Sequence, residues 1–190
     1  GVPQFAANEL SGMPECDVLI DFSLPEAFDP VLAYCVAHGR SLVSGTTGLS
    51  DAQQTAIDAA GLQIPVLWAS NFSLGVAVLV DLVERAARAL PGWDCDIVEQ
   101  HHTRKLDAPS GTALTLGEAA ERGGSNARYA AIRAGDIVGE HTVQFATLGE
   151  RIELVHRATN RDIFARGALH AAAWLARRSP GRYRIADILG

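Results

Sequence analysis

Lysine is almost absent from this chain: of its 16 Lys and Arg residues, only Lys105 is a lysine. An ammonium group can give up a proton when it is buried or lies beside other cations, whereas a guanidinium stays charged. The single lysine therefore indicates a position at which arginine cannot serve. Compositional drift toward arginine is the alternative. Two histidines precede Lys105, and a turn of small and polar residues follows it, which favours function over chance.

An excess of positive charge and a long apolar run are also missing. The formal net charge is −6 and the arginines are scattered, so nucleic acid is not an expected partner and an anionic substrate would need a local site. No apolar run approaches the length of a membrane span. The three cysteines lie in apolar stretches without CxxC spacing, which is typical of buried free thiols. We therefore expect a cytoplasmic protein that binds neither nucleic acid nor membrane.

The first third of the chain alternates between short apolar runs and helical segments. The runs at 18–20, 41–43 and 64–68 are typical of buried parallel strands. Two helices follow these runs, at about 24–38 and 50–60. Ser23 as N-cap, with Glu26 three residues on, predicts the start of the first helix, and the segment 50–53 caps the second; a glycine ends each. This order predicts a parallel sheet with helical crossovers, an α/β arrangement.

The pattern changes after a long apolar helix predicted at about 73–90. A strand at 95–99 and a helix at 113–122 follow it. Two alternating runs, 141–146 and 151–156, then predict an antiparallel hairpin. A last helix at about 161–177 closes the series and is expected to return to the first part. The second part is therefore α+β.

Three of the predicted parallel strands end in small or polar residues, at 21–23, 45–47 and 69–72. Ligands of parallel sheets bind at the carboxyl ends of the strands. Gly45 permits close backbone approach, and Thr or Asn side chains can donate to an amide, a ribose or a phosphate. Any one segment alone is equally well explained as an ordinary turn, but three in succession favour a nucleotide crevice. The GxGxxG loop that would mark such a crevice is absent from the sequence.

The densest group of titratable residues follows the strand at 95–99. Because His101 and His102 are adjacent at a strand end, they point to opposite faces, and a shared metal is not expected. A lone histidine is usually structural, but Lys105 nearby favours a catalytic cluster, since clustered cations disfavour one another's charged forms. Asp107 either orients Lys105 or stabilises the turn before Pro109.

The start of the next helix adds an anion-binding element to this group. At residues 110–112, the first backbone N–H groups and the positive end of the helix dipole suit a carboxylate or a phosphate. Simple capping by Ser110 is the alternative. A proton donor, two imidazoles and an anion cradle within twelve residues favour the functional interpretation.

This segment resembles the signature of the dihydrodipicolinate reductase family, which acts in the diaminopimelate branch of lysine biosynthesis. The signature stands here as Glu99-Gln100-His101-His102-Thr103-Arg104-Lys105-Leu106-Asp107-Ala108-Pro109-Ser110-Gly111-Thr112-Ala113. The segments 45–48, 71–73 and 133–141 look like further blocks of the family. The resemblance covers essentially the whole chain, and its signature is highly specific.

The resemblance implies an α/β fold with a partial Rossmann-type parallel sheet and a second, α+β domain with a mixed open sheet. The first domain would be 1–72, with 161–190 packing back on it, and would bind the dinucleotide. The second, 73–160, would bind substrate and form a homotetramer. The implied reaction is hydride transfer from NADPH or NADH to a cyclic unsaturated dicarboxylate derived from 4-hydroxy-tetrahydrodipicolinate.

The resemblance also implies residue roles. His101 would be a proton donor or acceptor, and Lys105 the general acid that completes the reduction. This agrees with the chemistry, because hydride reduction of a conjugated imine leaves an enamine that needs a proton. The substrate carboxylate would be held by His102, Gly111 and Thr112. The nicotinamide cofactor would be contacted by Gly45, Thr46, Thr47, Ala69, Ser70, Asn71 and Phe72.

Two departures from the family are visible. The family's N-terminal β-α-β unit with its glycine-rich loop is missing, so we expect a fragment with an exposed apolar sheet edge and weak or no cofactor binding. The stretch between Glu118 and Arg133 is shorter than in many members. A lyase that forms a Schiff base on Lys105 and a truncated, non-catalytic oligomerisation module remain the alternatives.

Overall fold

A computed structural model of the chain describes residue 10 and residues 12–190. They form two compact units, the first made of the described residues up to Phe72 together with Phe164–Gly190, and the second of Ser73–Ile163. The strands are Val18–Asp21 (β1), Ser41–Ser44 (β2), Pro65–Trp68 (β3), Asp94–His101 (β4), Ala127–Arg133 (β5), Gly139–Thr147 (β6), Glu150–Ala158 (β7) and Gly181–Tyr183 (β8). The helices are Pro25–His38 (α1), Asp51–Gly61 (α2), Leu74–Ala89 (α3), Gly111–Arg122 (α4) and Asp162–Leu175 (α5), with a 3₁₀ turn at Ile185–Ile188.

The first unit contains a four-stranded, all-parallel sheet in the order β1-β2-β3-β8. Alternate residues of β2 and β3 enter two different cores. Leu42 and Val66 pack among residues of α1 and α2, whereas Val43 and Leu67 pack among residues of α5. The central strands β2 and β3 are therefore buried on both faces, which explains their short apolar sequences. The predicted parallel sheet and the cap of α2 at Ser50 are confirmed. The prediction of Ser23 as the cap of α1 is wrong, because Leu24 holds that position and makes no side-chain hydrogen bond to the helix.

The second unit is built on a mixed sheet in the order β5-β4-β6-β7. The central strand β4 runs parallel to β5 and antiparallel to β6. Its residues alternate between buried and partly exposed positions, and the buried Cys95 and Ile97 pack with α3 and α4 in a single core. The predicted hairpin of β6 and β7 is confirmed and is longer at both ends than the sequence indicated.

Two features of the fold were not foreseen. The sequence analysis assigned no strand to Ala127–Arg133, yet this segment is β5. Most of its residues are exposed, so the apolar alternation that identifies a half-buried strand is missing. The tail likewise provides a fourth parallel strand, β8, to which the sequence analysis assigned no strand. Among the described residues, no helix is long and apolar enough to cross a membrane.

Gly167 of α5 is expected to be essential for the first unit. A Cβ at this position would overlap the carbonyl oxygen of Phe72, which is backbone and cannot rotate away. We expect Gly167→Ala to lower the free energy of unfolding by about 2 kcal/mol or more, as for other overpacked sites, measured by urea denaturation. Gly111→Ala is the matched control, because no atom lies within 4 Å of its Cβ position. A stable Gly167→Ala variant would contradict this packing.

Candidate active site

Strand β4 places Glu99 and His101 on the same face of the sheet, because they are two residues apart. Both are buried, with 0% and 8% of their surface exposed. The Nδ1 of His101 hydrogen-bonds the Oε2 of Glu99. Since an ionised carboxylate only accepts hydrogen bonds, Nδ1 carries the hydrogen. The other ring nitrogen, Nε2, is therefore the one left to exchange a proton, and it faces the backbone of Gly139.

The buried carboxylate of Glu99 is neutralised by Arg133, the last residue of β5. The two terminal nitrogens of Arg133 donate to the two oxygens of Glu99 at 2.7 and 2.9 Å, and the backbone N–H of Ser110 donates to Oε1 at 3.1 Å. Burial raises the pKa of Glu99, but the hydrogen bonds from Arg133 and His101 outweigh burial and leave this pKa below its ordinary value. Glu99 is thus a fully partnered buried anion.

Lys105 lies in the loop after β4 and is paired with Asp107. Its Nζ donates to both carboxylate oxygens of Asp107, at 2.7 and 2.8 Å, and this hydrogen bond is the main reason why the pKa of Asp107 is lowered. The backbone carbonyl of Asp107 accepts a hydrogen bond from Arg133 at 2.7 Å. The same guanidinium therefore contacts the partner of His101 and the partner of Lys105.

His141 of β6 completes the buried polar cluster. It lies opposite Glu99 in the strand register, and its ring meets the ring of His101 edge to face, with centroids 5.2 Å apart. Its Nε2 shares a hydrogen bond with the hydroxyl of Ser110 at 3.1 Å. Burial, followed by the charge of His101, lowers the pKa of His141 to about 4, so His141 is neutral at physiological pH.

The start of α4 lies directly after this cluster. The Ser110 hydroxyl caps the helix by accepting from the backbone N–H of Ala113. At the exposed Gly111, no atom lies within 4 Å of the Cβ position, so there is room beside the positive end of the helix. The pKa of His102 is lowered, by burial and then by the charge of Arg104. A carboxylate in this space would meet the positive end of the helix.

The second group of predicted site residues is at the strand ends of the first unit. The buried carboxylate of Asp21 accepts from the hydroxyls of Ser44 and Thr46, at 2.9 and 2.7 Å, and Trp68 donates to the Thr46 carbonyl at 2.8 Å. The Thr46 side chain is therefore used to hold the ends of β1 and β2 together. Of the other residues predicted for this group, Thr47 and Ser70 are exposed, Gly45 and Asn71 are half-buried, and Ala69 and Phe72 are buried.

The structure connects residues that the sequence analysis left without a role. His101 and Lys105 were singled out, but Glu99, Arg133 and His141 were not. The Glu-x-His spacing on a strand could have indicated the first contact, because alternate residues share a face. Arg133 and His141 gave no such signal, since their positions depend on the pairing of β4 with β5 and β6.

Comparison with known proteins is consistent across the chain. A family model described as "Dihydrodipicolinate reductase, N-terminus" matches residues 2–72, and one described as "Dihydrodipicolinate reductase, C-terminus" matches residues 75–189. A 4-hydroxy-tetrahydrodipicolinate reductase of Stenotrophomonas maltophilia (strain K279a) is 71% identical over 189 residues, covering 100% of this chain and 79% of the relative. One of Xylella fastidiosa (strain 9a5c) is 64% identical, covering 100% of this chain and 80% of the relative.

A solved structure has the same fold. It is the dipicolinate-bound dihydrodipicolinate reductase from Paenisporosarcina sp. TG-14, which superposes with a TM-score of 0.73. The match covers 88% of this chain and 71% of the other, at 21% sequence identity. At this identity the similarity supports the arrangement of the helices and strands.

His141 is expected to make the protein sensitive to mild acid. Its pKa is about 4 in the folded chain against an ordinary value of 6.5, so the unfolded chain binds the proton first as pH falls. Stability is then lost as the pH drops from about 6.5 toward 4. Between pH 7 and pH 5, we expect His141 to account for a loss of about 2 kcal/mol in the free energy of unfolding, measured by urea denaturation at each pH.

The matched comparison uses His141→Gln and His170→Gln. His170 lies on the exposed surface of α5, so its replacement should leave the pH dependence of the wild type intact. The His141 variant should lose most of the difference between pH 7 and pH 5. Equal slopes in all three proteins would show that His141 is not held neutral by burial.

Proposed function

This chain belongs to the dihydrodipicolinate reductase family, and on that premise we propose that it is a 4-hydroxy-tetrahydrodipicolinate reductase. It reduces a cyclic, unsaturated dicarboxylate in the diaminopimelate branch of lysine biosynthesis, with NADPH or NADH as hydride donor. The observation that carries the proposal is the pairing of two proton-handling side chains, His101 and Lys105, with their own carboxylates beside the start of α4. The 71% identity to a reductase of that name supports it.

The substrate carboxylate is bound at the start of α4. His102, Gly111 and Thr112 hold it there, because the positive end of the helix favours an anion and the absence of a side chain at Gly111 leaves room for it. The solved neighbour from Paenisporosarcina sp. TG-14 holds dipicolinate, a ring with two carboxylates. Such a probe should bind this chain at the start of α4.

The first unit fits the nicotinamide end of a dinucleotide. Its parallel strands end in small residues, as is usual where a ligand approaches the carboxyl edge of a sheet. Gly45 lets the half-exposed ring of Phe22 lie against the strand end, where it also packs against Phe72 with centroids 5.3 Å apart. This apolar surface suits a planar ring. The residues that hold it are Gly45, Thr46, Thr47, Ala69, Ser70, Asn71 and Phe72, and the bound cofactor supplies a hydride.

The chain's own residues manage the protons. Reduction of a conjugated imine leaves an electron-rich enamine nitrogen or carbon that must take up one proton. Lys105 delivers that proton from its ammonium group, which is paired with Asp107. His101, whose Nδ1–H is fixed by Glu99, exchanges a proton only through Nε2. The fixed tautomer therefore leaves one ring nitrogen of His101 available for proton transfer.

We assign the two units separate tasks. Residues 1–72 with 161–190 bind the cofactor, and 73–160 bind the substrate and form a cytoplasmic homotetramer. The mixed sheet supports this assembly because Ile132 and Val155, on the face opposite the core, are 43% and 39% exposed, and exposed apolar residues on a sheet face are typical of an interface. Sedimentation equilibrium measures the oligomeric state directly.

Lys105→Ala is expected to abolish most of the turnover. Loss of a general acid costs about 100- to 10,000-fold in kcat. The affinity for NADPH or NADH, which is expected to be weak in this chain, should stay nearly unchanged because the cofactor residues lie in the first unit. The measurement is substrate-dependent oxidation of the reduced nucleotide, together with calorimetric titration of the nucleotide.

Arg104→Ala is the matched control, because Arg104 is an exposed cation in the same loop. It should keep turnover within about threefold of the wild type, as a surface substitution away from the chemistry does. Near-normal turnover of Lys105→Ala would mean that another group donates the proton. Trapping of substrate on Lys105 by borohydride, without oxidation of nucleotide, would instead identify a Schiff-base lyase.

A further inference from the structure

The guanidinium of Arg133 connects the two halves of the proton-handling machinery. On one side it binds both oxygens of Glu99, the residue that fixes the ring of His101. On the other side it donates to the backbone carbonyl of Asp107, the residue that holds the ammonium of Lys105. The guanidinium of Arg133 therefore connects His101 and Lys105 indirectly, because it binds Glu99, the partner of His101, and Asp107, the partner of Lys105.

We call this connection from Glu99 through Arg133 to Asp107 the bridge. The position of Arg133 in the sheet makes the bridge rigid. It is the last residue of β5 and lies opposite His101 in the parallel register. The rest of β5 is largely exposed, whereas the Arg133 side chain is only 19% exposed and that of Glu99 is 0% exposed. A further hydrogen bond of 2.7 Å from Arg133 to the carbonyl of Ile132 fixes the guanidinium plane.

Another ion pair between the same two strands shows what an ordinary pair looks like. Arg128 and Asp96 also form a bidentate pair across β4 and β5, but on the other face of the sheet, and the Arg128 side chain is 63% exposed. Exposed ion pairs usually contribute less than about 1 kcal/mol to the free energy of unfolding. A buried pair costs desolvation and is weak evidence for stability, but it fixes geometry strongly.

We propose that Arg133 is a positioning residue that sets the placement of His101 and Lys105 relative to each other, without contacting substrate. The proposal rests on the proposed reductase function. The arginine fork is required, because a lysine at this position is a point charge that cannot bind two carboxylate oxygens and the Asp107 carbonyl together. Loss of the fork leaves His101 and the Lys105 loop free to shift independently.

The first test compares Arg133→Lys and Arg133→Ala with Arg128→Ala as the matched control. We expect kcat to fall about 10-fold in Arg133→Lys and about 100-fold in Arg133→Ala, with KM for the dicarboxylate changed by less than about threefold, as for misplaced reacting groups. Arg128→Ala should keep both constants. Guanidinium ion at millimolar concentration should restore part of the kcat of Arg133→Ala, whereas methylammonium, which lacks the planar fork, should not.

The second test needs no turnover. The ring ¹⁵N resonances of His101 should move in Arg133→Ala and stay in place in Arg128→Ala, because only the former alters the charge balance of Glu99. Dipicolinate affinity, measured by calorimetry, should change by less than about threefold in either variant, since Arg133 does not contact substrate.

These readouts separate the two proposals. A wild type that binds both nucleotide and dipicolinate but shows no turnover, and whose His101 resonances respond as described, would refute the reductase function and keep the bridge. An active wild type in which Arg133→Ala raises KM alone, or leaves the His101 resonances unmoved, would refute the bridge. If Arg133→Ala does not fold, Arg133→Lys carries both tests, and unchanged kcat in that folded variant overturns the proposal.

Discussion

The arrangement of the second unit depends on one buried charge, the carboxylate of Glu99. A carboxylate with no solvent exposure is tolerated only when donors satisfy its oxygens and a cation balances it. Those donors come from three separate pieces of chain: His101 on β4, Arg133 at the end of β5, and the backbone of Ser110 before α4. The hydrogen bonds to Glu99 therefore hold together the end of β4, the end of β5 and the start of α4.

The requirement to balance Glu99 also explains how the Lys105–Asp107 ion pair can lie on a loop and keep a fixed geometry. Lys105 follows the last residue of β4 by four positions, and loops of this kind are usually mobile. Here the guanidinium anchored on Glu99 also holds the carbonyl of Asp107, whose carboxylate holds the ammonium. The sheet thereby fixes the position of the loop through two ion pairs, Glu99–Arg133 and Asp107–Lys105, and one hydrogen bond from Arg133 to the Asp107 carbonyl.

Local sequence signals predicted the parts of the fold whose cause is local. The capping residues Ser50 and Gln53 of α2 and the alternation in β6 and β7 belong to this class, as do His101 and Lys105 as candidates for proton transfer. The strand β5 could not be predicted, because its exposed residues do not alternate. The contact of Arg133 with Glu99 spans 34 positions, and no spacing rule connects residues that meet only through strand pairing.

The same site shows why the chain uses arginine everywhere but once. At position 133 the group must bind two oxygens and a carbonyl at fixed angles and must stay charged, and only a guanidinium has both properties. At position 105 the proposed general acid must be able to release its hydrogen, and a permanently charged fork could not. Asp107 serves as its counter-ion. Arg133 and Lys105 carry the same charge, but they differ in donor geometry and in the ability to release a proton, and these two properties decide which residue suits which position.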